Sequence, residues 1–238
     1  LLSPAGSRLS SVVGVACRMK FKPAFSALAD VAQIVYYDHR GHGRSDPRPS
    51  SEWTLDTWAD DIVRLLWGKG NKLDGRYGMG GHSYGAGTTE LIGGAAPRTG
   101  ERFADPRFAA LVMISPQGRG ELYTRDSWNA MTRPCLVVTG SNDLGRQQTV
   151  ELRKDPFLFS PPGDKFLLWI EGAYHGFGGI SGSRFPTAGP DDPQQVAWVQ
   201  SASLAMWDAY VKRDEAALAW LQRGNLRNAS RKIDWQSR

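Results

Sequence analysis

Residues 76–89 read Arg76-Tyr77-Gly78-Met79-Gly80-Gly81-His82-Ser83-Tyr84-Gly85-Ala86-Gly87-Thr88-Thr89. The first part, Arg76–Gly81, is patterned as a short buried strand, and the run from Ala86 has the small residues of a helix start. Between them Gly81-His82-Ser83-Tyr84-Gly85 matches the pattern G-x-S-x-G. A strand that turns directly into a helix brings two backbones together, and glycine on each flank leaves room for that approach. The serine is then held at the C-terminal edge of a sheet, with the N–H of Tyr84 placed to stabilise an oxyanion. The plainer reading is a glycine-rich turn carrying a solvated serine. The bare pattern is weak; its position between strand and helix is what gives it weight.

Working outward, five more near-continuous apolar runs read as strands: Val12–Ala16, Gln33–Asp38, Ala109–Ser115, Cys135–Gly140 and Lys165–Glu171. Strands covered on both faces look like this, as in parallel sheets. Thr54 is a candidate cap for a helix running to Trp67, with Asp56, Asp60 and Asp61 in its early turns and Gly68 as its stop. Trp58, Ile62, Leu65 and Leu66 fall on one face of that helix. Pro193–Val211 carries Val196, Val199, Ser203, Met206 and Tyr210 at helical steps, and Glu215–Leu221 is a last short helix. Gly176–Pro193 is the longest expected loop. Strands alternating with helices imply right-handed crossovers and a doubly wound α/β fold. At 238 residues the whole chain, 1–238, is expected to form one domain around a mostly parallel sheet of about six strands.

A serine hydroxyl is a poor nucleophile until a base takes its proton. His82 adjoins Ser83 and should point away from it, while His39 and His42 precede it in a loop. His175 follows the last candidate strand and so reaches the same sheet edge. A third group should orient the imidazole. Asp143, in Thr139-Gly140-Ser141-Asn142-Asp143, also lies at that edge; Glu171, Asp126 and Asp164 are the rival acids. The chain order Ser83, Asp143, His175 is that of the nucleophile-elbow hydrolases, not of chymotrypsin or subtilisin.

Composition narrows the alternatives. Nine Trp, nine Phe and seven Tyr are too many large apolar groups for a disordered chain. No apolar run approaches the roughly 18 residues that a spanning helix needs, so no membrane partner is expected. The net charge of +5 invites a nucleic-acid reading. The basic residues are scattered, however, and no nucleic-acid motif is present, so none is expected as a partner. No basic segment followed by an apolar stretch marks an intact signal peptide, and the location is left open between cytoplasmic and secreted. Cys17 and Cys135 leave both the redox compartment and their own pairing open. Neither a metal-ligand cluster nor a dinucleotide fingerprint is present, so no cofactor is expected.

Together these features resemble the α/β-hydrolase superfamily. The matching stretches are Tyr36-Tyr37-Asp38-His39-Arg40-Gly41-His42-Gly43-Arg44-Ser45-Asp46, the elbow, the late aspartate and the final histidine. From Leu73 onward the chain is similar to the dienelactone-hydrolase and carboxylesterase branch, through Leu73-Asp74-Gly75-Arg76, Ser115-Pro116-Gln117-Gly118 and Pro161-Pro162-Gly163-Asp164-Lys165. Dienelactone hydrolases proper carry cysteine at the elbow, so Ser83 points to the esterase side. The resemblance implies a sheet order of 2-1-3-4-5-6 without the usual antiparallel N-terminal strands. It also implies a second oxyanion N–H after the first central strand. That place reads Ala16-Cys17-Arg18-Met19-Lys20, with Cys17 or Arg18 as the donor and no glycine-rich turn.

Only Pro116–Pro134 separates two strands where relatives insert a cap, so an open cleft without a large lid is expected. Trp128, Phe157, Phe159 and Phe177 fall in loops that could line it or could simply pack. Apolar walls suit a small neutral carboxylic ester as substrate. The expected activity is therefore that of a serine esterase working through an acyl-enzyme. An iminopeptidase-type peptidase and a weakly catalytic ligand-binding protein on the same fold are the alternatives. The oligomeric state is not legible.

Overall fold

Alternate residues of the apolar runs face two different cores. Leu111 and Met113 pack with Met79, Val137 and Leu167 on one side of the sheet, whereas Val112 and Ile114 pack with Leu136, Val138 and Leu168 on the other. Successive strand side chains point to opposite faces, so a strand buried on both sides must be apolar at every position. The computed structural model behind this description covers residues 11–15, 33–37, 40, 45–52, 54–67, 76–145, 149–180 and 186–238. The loop Ala16–Lys20 with Cys17 and Arg18, both histidines of the Asp38–Asp46 stretch, the helix stop at Gly68 and Leu73–Gly75 lie outside the described residues.

The strands are β1 (Ser11–Val15), β2 (Gln33–Tyr37), β3 (Tyr77–His82), β4 (Phe108–Ile114), β5 (Cys135–Asn142), β6 (Lys165–Tyr174) and β7 (Ile233–Ser237). They form one sheet in the order β2-β1-β3-β4-β5-β6-β7. The first six pair in parallel, in the expected order, and β7 closes the edge antiparallel to β6. Among the described residues the sheet thus has seven strands, not about six. Its last strand, Ile-Asp-Trp-Gln-Ser, buries Ile233 and Trp235 and turns Asp234 outward. That is the alternation of an edge strand with one covered face, and a search for continuous apolar runs passes over it.

The described helices are α1 (Leu55–Trp67), α2 (Tyr84–Gly93), the short α3 (Asp155–Phe159), α4 (Pro193–Tyr210) and α5 (Glu215–Arg223). At the start of α1, Thr54 and Thr57 exchange backbone and hydroxyl hydrogen bonds, and Ile62 is fully buried. Asp192 caps α4 by accepting from the N–H of Gln194 and Gln195, with Pro193 at the first helical position. Val199, Ser203, Met206 and Tyr210 form its buried face, as their spacing predicts. Asp214 caps α5, and Gly224 ends it in the left-handed conformation. Phe177–Gly179 makes a single 3-10 turn within the long loop after β6. No described helix is long and apolar enough to cross a membrane.

This topology positions the site. The strand order reverses direction between β1 and β3, and a doubly wound sheet opens its crevice beside the carboxyl ends of strands at such a reversal. Ser83 follows the last residue of β3.

Candidate active site

Ser83 is the single residue between β3 and α2, with φ 56° and ψ −115°. A non-glycine residue at positive φ is strained and persists only where its surroundings fix it. Here the Ser83 N–H donates to Ile114 O at 2.9 Å, and its carbonyl accepts from Gly87 N at 3.0 Å. Gly81 permits the turn: a Cβ there would lie 2.2 Å from the carbonyl carbon and oxygen of Gly85. Tyr84 begins α2, and N–H groups in the first turn of a helix have no acceptor within it. The amide next to the serine is thus available to a developing anion.

His175 follows β6 and brings its Nε2 to 3.0 Å from Ser83 Oγ. Its Nδ1 lies 2.7 Å from Asp143 Oδ1. Asp143 follows β5 and is fully buried. The three expected residues therefore meet at one sheet edge in bonding order. The rival acids lie elsewhere. Glu171 is exposed on β6, Asp126 is exposed in a 3-10 turn, and Asp164 precedes β6 at the opposite edge of the sheet.

A buried carboxylate needs partners, or burial drives it to take up a proton. Asp143 has several. The Ser115 hydroxyl donates to its Oδ1 at 2.8 Å, and the Thr139 hydroxyl donates to its Oδ2 at 3.0 Å. The buried Arg153 guanidinium stands 3.9 Å from Oδ2 and bonds the carbonyls of Asp143, Ser115 and Pro116. Burial alone would push the carboxyl up. The His175 hydrogen bond, the Arg153 charge and the Ser115 hydroxyl outweigh it and hold the group below the usual carboxylate range.

Behind the imidazole, His82 is buried with its ring 4.6 Å from that of His175. Its Nε2 lies 2.7 Å from His175 O. A carbonyl only accepts, so the proton sits on Nε2. Burial, with the nearby charge of His175, pushes the His82 imidazole down to about 3. His82 is therefore a neutral ring packed against the His175 imidazole. Glu90, on α2 beyond the serine, is also fully buried and accepts from Gln117 N and Trp128 Nε1. Burial raises its carboxyl well above the usual range despite these bonds.

Three of the four aromatic residues named as possible cleft walls are core residues. Trp128 and Phe177 are fully enclosed and Phe157 nearly so, in the two clusters on either side of the sheet. Phe159 is half-buried, near-parallel to Trp128 with the guanidiniums of Arg119 and Arg125 over its ring. The exposed aromatic group beside Ser83 is Tyr84, whose ring meets Trp58 edge-on at 6.3 Å. Cys17 and Arg18, the expected source of the second oxyanion N–H, lie outside the described residues.

Sequence reasoning missed Ser115, Thr139, Arg153 and His82 as parts of this arrangement. Thr139 stands four residues before Asp143 in the same strand end, and Ser115 ends the strand beside it, so both carried a positional signal. Arg153 comes from a 3-10 helix, Val150–Lys154, and carried none. Among the described residues no group of His, Cys, Asp or Glu side chains is placed to hold a metal ion.

A family model described as alpha/beta hydrolase fold matches residues 16–178. No curated protein matches the sequence. Several solved structures are similar in fold. Est1E from Butyrivibrio proteoclasticus, solved with ferulic acid bound, is 15% identical with a TM-score of 0.58, the match covering 82% of this chain and 88% of that one. An enol-lactonase from Burkholderia xenovorans LB400 is 14% identical with a TM-score of 0.51, covering 71% and 84%. A serine hydrolase involved in carbazole degradation is 15% identical with a TM-score of 0.54, covering 68% and 82%. At these identities the likeness is one of fold.

Proposed function

The chain belongs to the α/β-hydrolase fold family, and from that premise we propose that it is a serine hydrolase cleaving small carboxylic esters through an acyl-enzyme. The observation that carries this reading is the continuous path from Ser83 Oγ to His175 Nε2 at 3.0 Å and from His175 Nδ1 to Asp143 Oδ1 at 2.7 Å. Ser83 Oγ attacks the ester carbonyl as His175 Nε2 takes its proton. The carbonyl oxygen becomes an oxyanion facing the Tyr84 N–H. Asp143 stays ionised and steadies the imidazolium. His175 then gives its proton to the departing alcohol. Water enters and attacks the acyl carbon as His175 takes its proton; His175 then returns that proton to Ser83 Oγ as the acid leaves.

The short connection between β4 and β5 supports a small, freely entering substrate. Its described residues, 115–134, hold only a four-residue 3-10 helix and no cap. An enol-lactone is a cyclic ester, so the likeness to an enol-lactonase agrees with this substrate class. The test is turnover of a chromogenic short-chain ester such as p-nitrophenyl acetate. Wild-type protein should turn over steadily, and Ser83→Ala should lose activity by roughly a million-fold, as for a comparable triad serine. Equal rates in the two proteins would reject the assignment.

A further inference from the structure

The geometry points to Ser115 as a positioning residue of the triad: its hydroxyl shares the His175 Nδ1 proton with Asp143 and holds the imidazole in the tautomer that serves Ser83. This rests on the proposed role of Ser83, His175 and Asp143. Ser115 Oγ lies 2.8 Å from Asp143 Oδ1 and 2.9 Å from His175 Nδ1, and those two atoms are 2.7 Å apart. Three polar atoms thus form a closed triangle. A hydroxyl has one proton and two lone pairs. With its proton donated to the Asp143 carboxylate, a lone pair of Ser115 faces Nδ1–H. The imidazole proton then has two acceptors, Oδ1 and Oγ. Nε2 is left with a free lone pair toward Ser83. No proton leaves Ser115 at any step.

The backbone gives a second, independent argument. Ser115 is fully buried and holds φ 54°, in the left-handed region. A buried non-glycine residue there is strained and needs its neighbours to hold it. Its N–H donates to Val138 O at 2.7 Å, and its carbonyl accepts from Arg153 Nη1 at 3.3 Å. The visible result of this fixation is a hydroxyl placed in the gap between Asp143 and His175. Glycine would satisfy the backbone better at this position, yet it would leave that gap without a hydroxyl.

The test compares Ser115→Gly with wild type, using p-nitrophenyl acetate turnover and the rate at which a fluorophosphonate labels Ser83. Glycine suits the local φ, so Tm should stay within a few degrees. Turnover and labelling should both fall about tenfold, the rate equivalent of one hydrogen bond, with KM unchanged. In an Asp143→Asn background the serine is the remaining acceptor that keeps Nδ1–H in place. Adding Ser115→Gly there should cost about a hundredfold, more than in wild type. If Ser115→Gly does not fold, Ser115→Ala, which keeps the native backbone preference, is read by the same measures. Normal rates in the folded variant, or the same loss in both backgrounds, would overturn the inference while labelled Ser83 keeps the triad reading intact. Failure of the probe to label Ser83 in wild type would instead reject that reading.

Discussion

Asp143 is ionised because its partners outweigh its burial, and its proposed task is to hold one imidazole tautomer. Asp143→Asn keeps the shape but changes an acceptor into a group that also donates. The expected loss in kcat is about 10³- to 10⁴-fold, near the value in the chymotrypsin-type template. Glu171→Gln should cost less than tenfold in kcat/KM, since Glu171 is exposed and its strand neighbour across the sheet edge is Lys232, whose carbonyl takes its N–H at 2.8 Å. Steady-state kinetics on both variants check the assignment; a crippled Glu171→Gln with near-normal Asp143→Asn would move the acid. Ser83, Asp143 and His175 were legible because each lies at the end of an apolar run, and parallel strands deliver such ends to one edge. Their support was less so. Arg153 stands ten residues beyond Asp143 and is recruited by the fold of the intervening chain, which has no periodic signature.

At the level of elements, the turn from β3 into α2 carries the proposed nucleophile. A Cβ at Gly81 would meet the Gly85 backbone at 2.2 Å and Ala86 N at 2.8 Å, and backbone has no rotamer by which to give way. Gly81→Ala should therefore cost about 3 kcal/mol or more. At Gly100, which is left-handed with φ 85° but has nothing within 4 Å of the added carbon, alanine should cost about 1 kcal/mol. Urea denaturation of both variants checks the contrast; equal losses would mean the elbow is looser than described. The same logic explains which elements could be read. β4, β5 and β6 announced themselves because burial on both faces forces unbroken apolar runs. The seventh did not, because one face of β7 carries Asp234 and Gln236 and only the other enters the core. The aromatic residues expected along the cleft misled for a related reason: a loop with no repeat does not reveal which way Trp128 or Phe157 turns, and here the core claimed them.

For the whole molecule, two buried ionisable groups near the elbow link stability to pH with opposite signs. His82 is held down to about 3 from an ordinary value of 6.5. Between these values the unfolded chain binds the proton that the folded one refuses, so stability falls as pH falls through that window. Glu90 is raised, so above its ordinary 4.5 the folded protein keeps a proton that the unfolded chain releases. Its contribution weakens stability as pH rises, and the two offset each other between about 4.5 and 6.5. Asp143, held low, enters only below its ordinary 3.8, where its stabilisation is lost on acidification. The readout is accordingly the difference between wild type and His82→Gln. Denaturant midpoints from pH 5 to 6.5 should show wild type losing, relative to the variant, up to about 1.4 kcal/mol per unit of acidification. Parallel curves would mean that His82 charges freely in the folded protein.

Ser83 is proposed as the one nucleophile among all the serines of the chain, and covalent labelling reads this out at the residue itself. A fluorophosphonate incubated with the folded protein should add one label per chain, and peptide mass spectrometry should place it on Ser83. Ser83→Ala should take up none, and His175→Ala should slow the reaction by several orders of magnitude. A label on any other serine, or undiminished labelling of Ser83→Ala, would contradict the account.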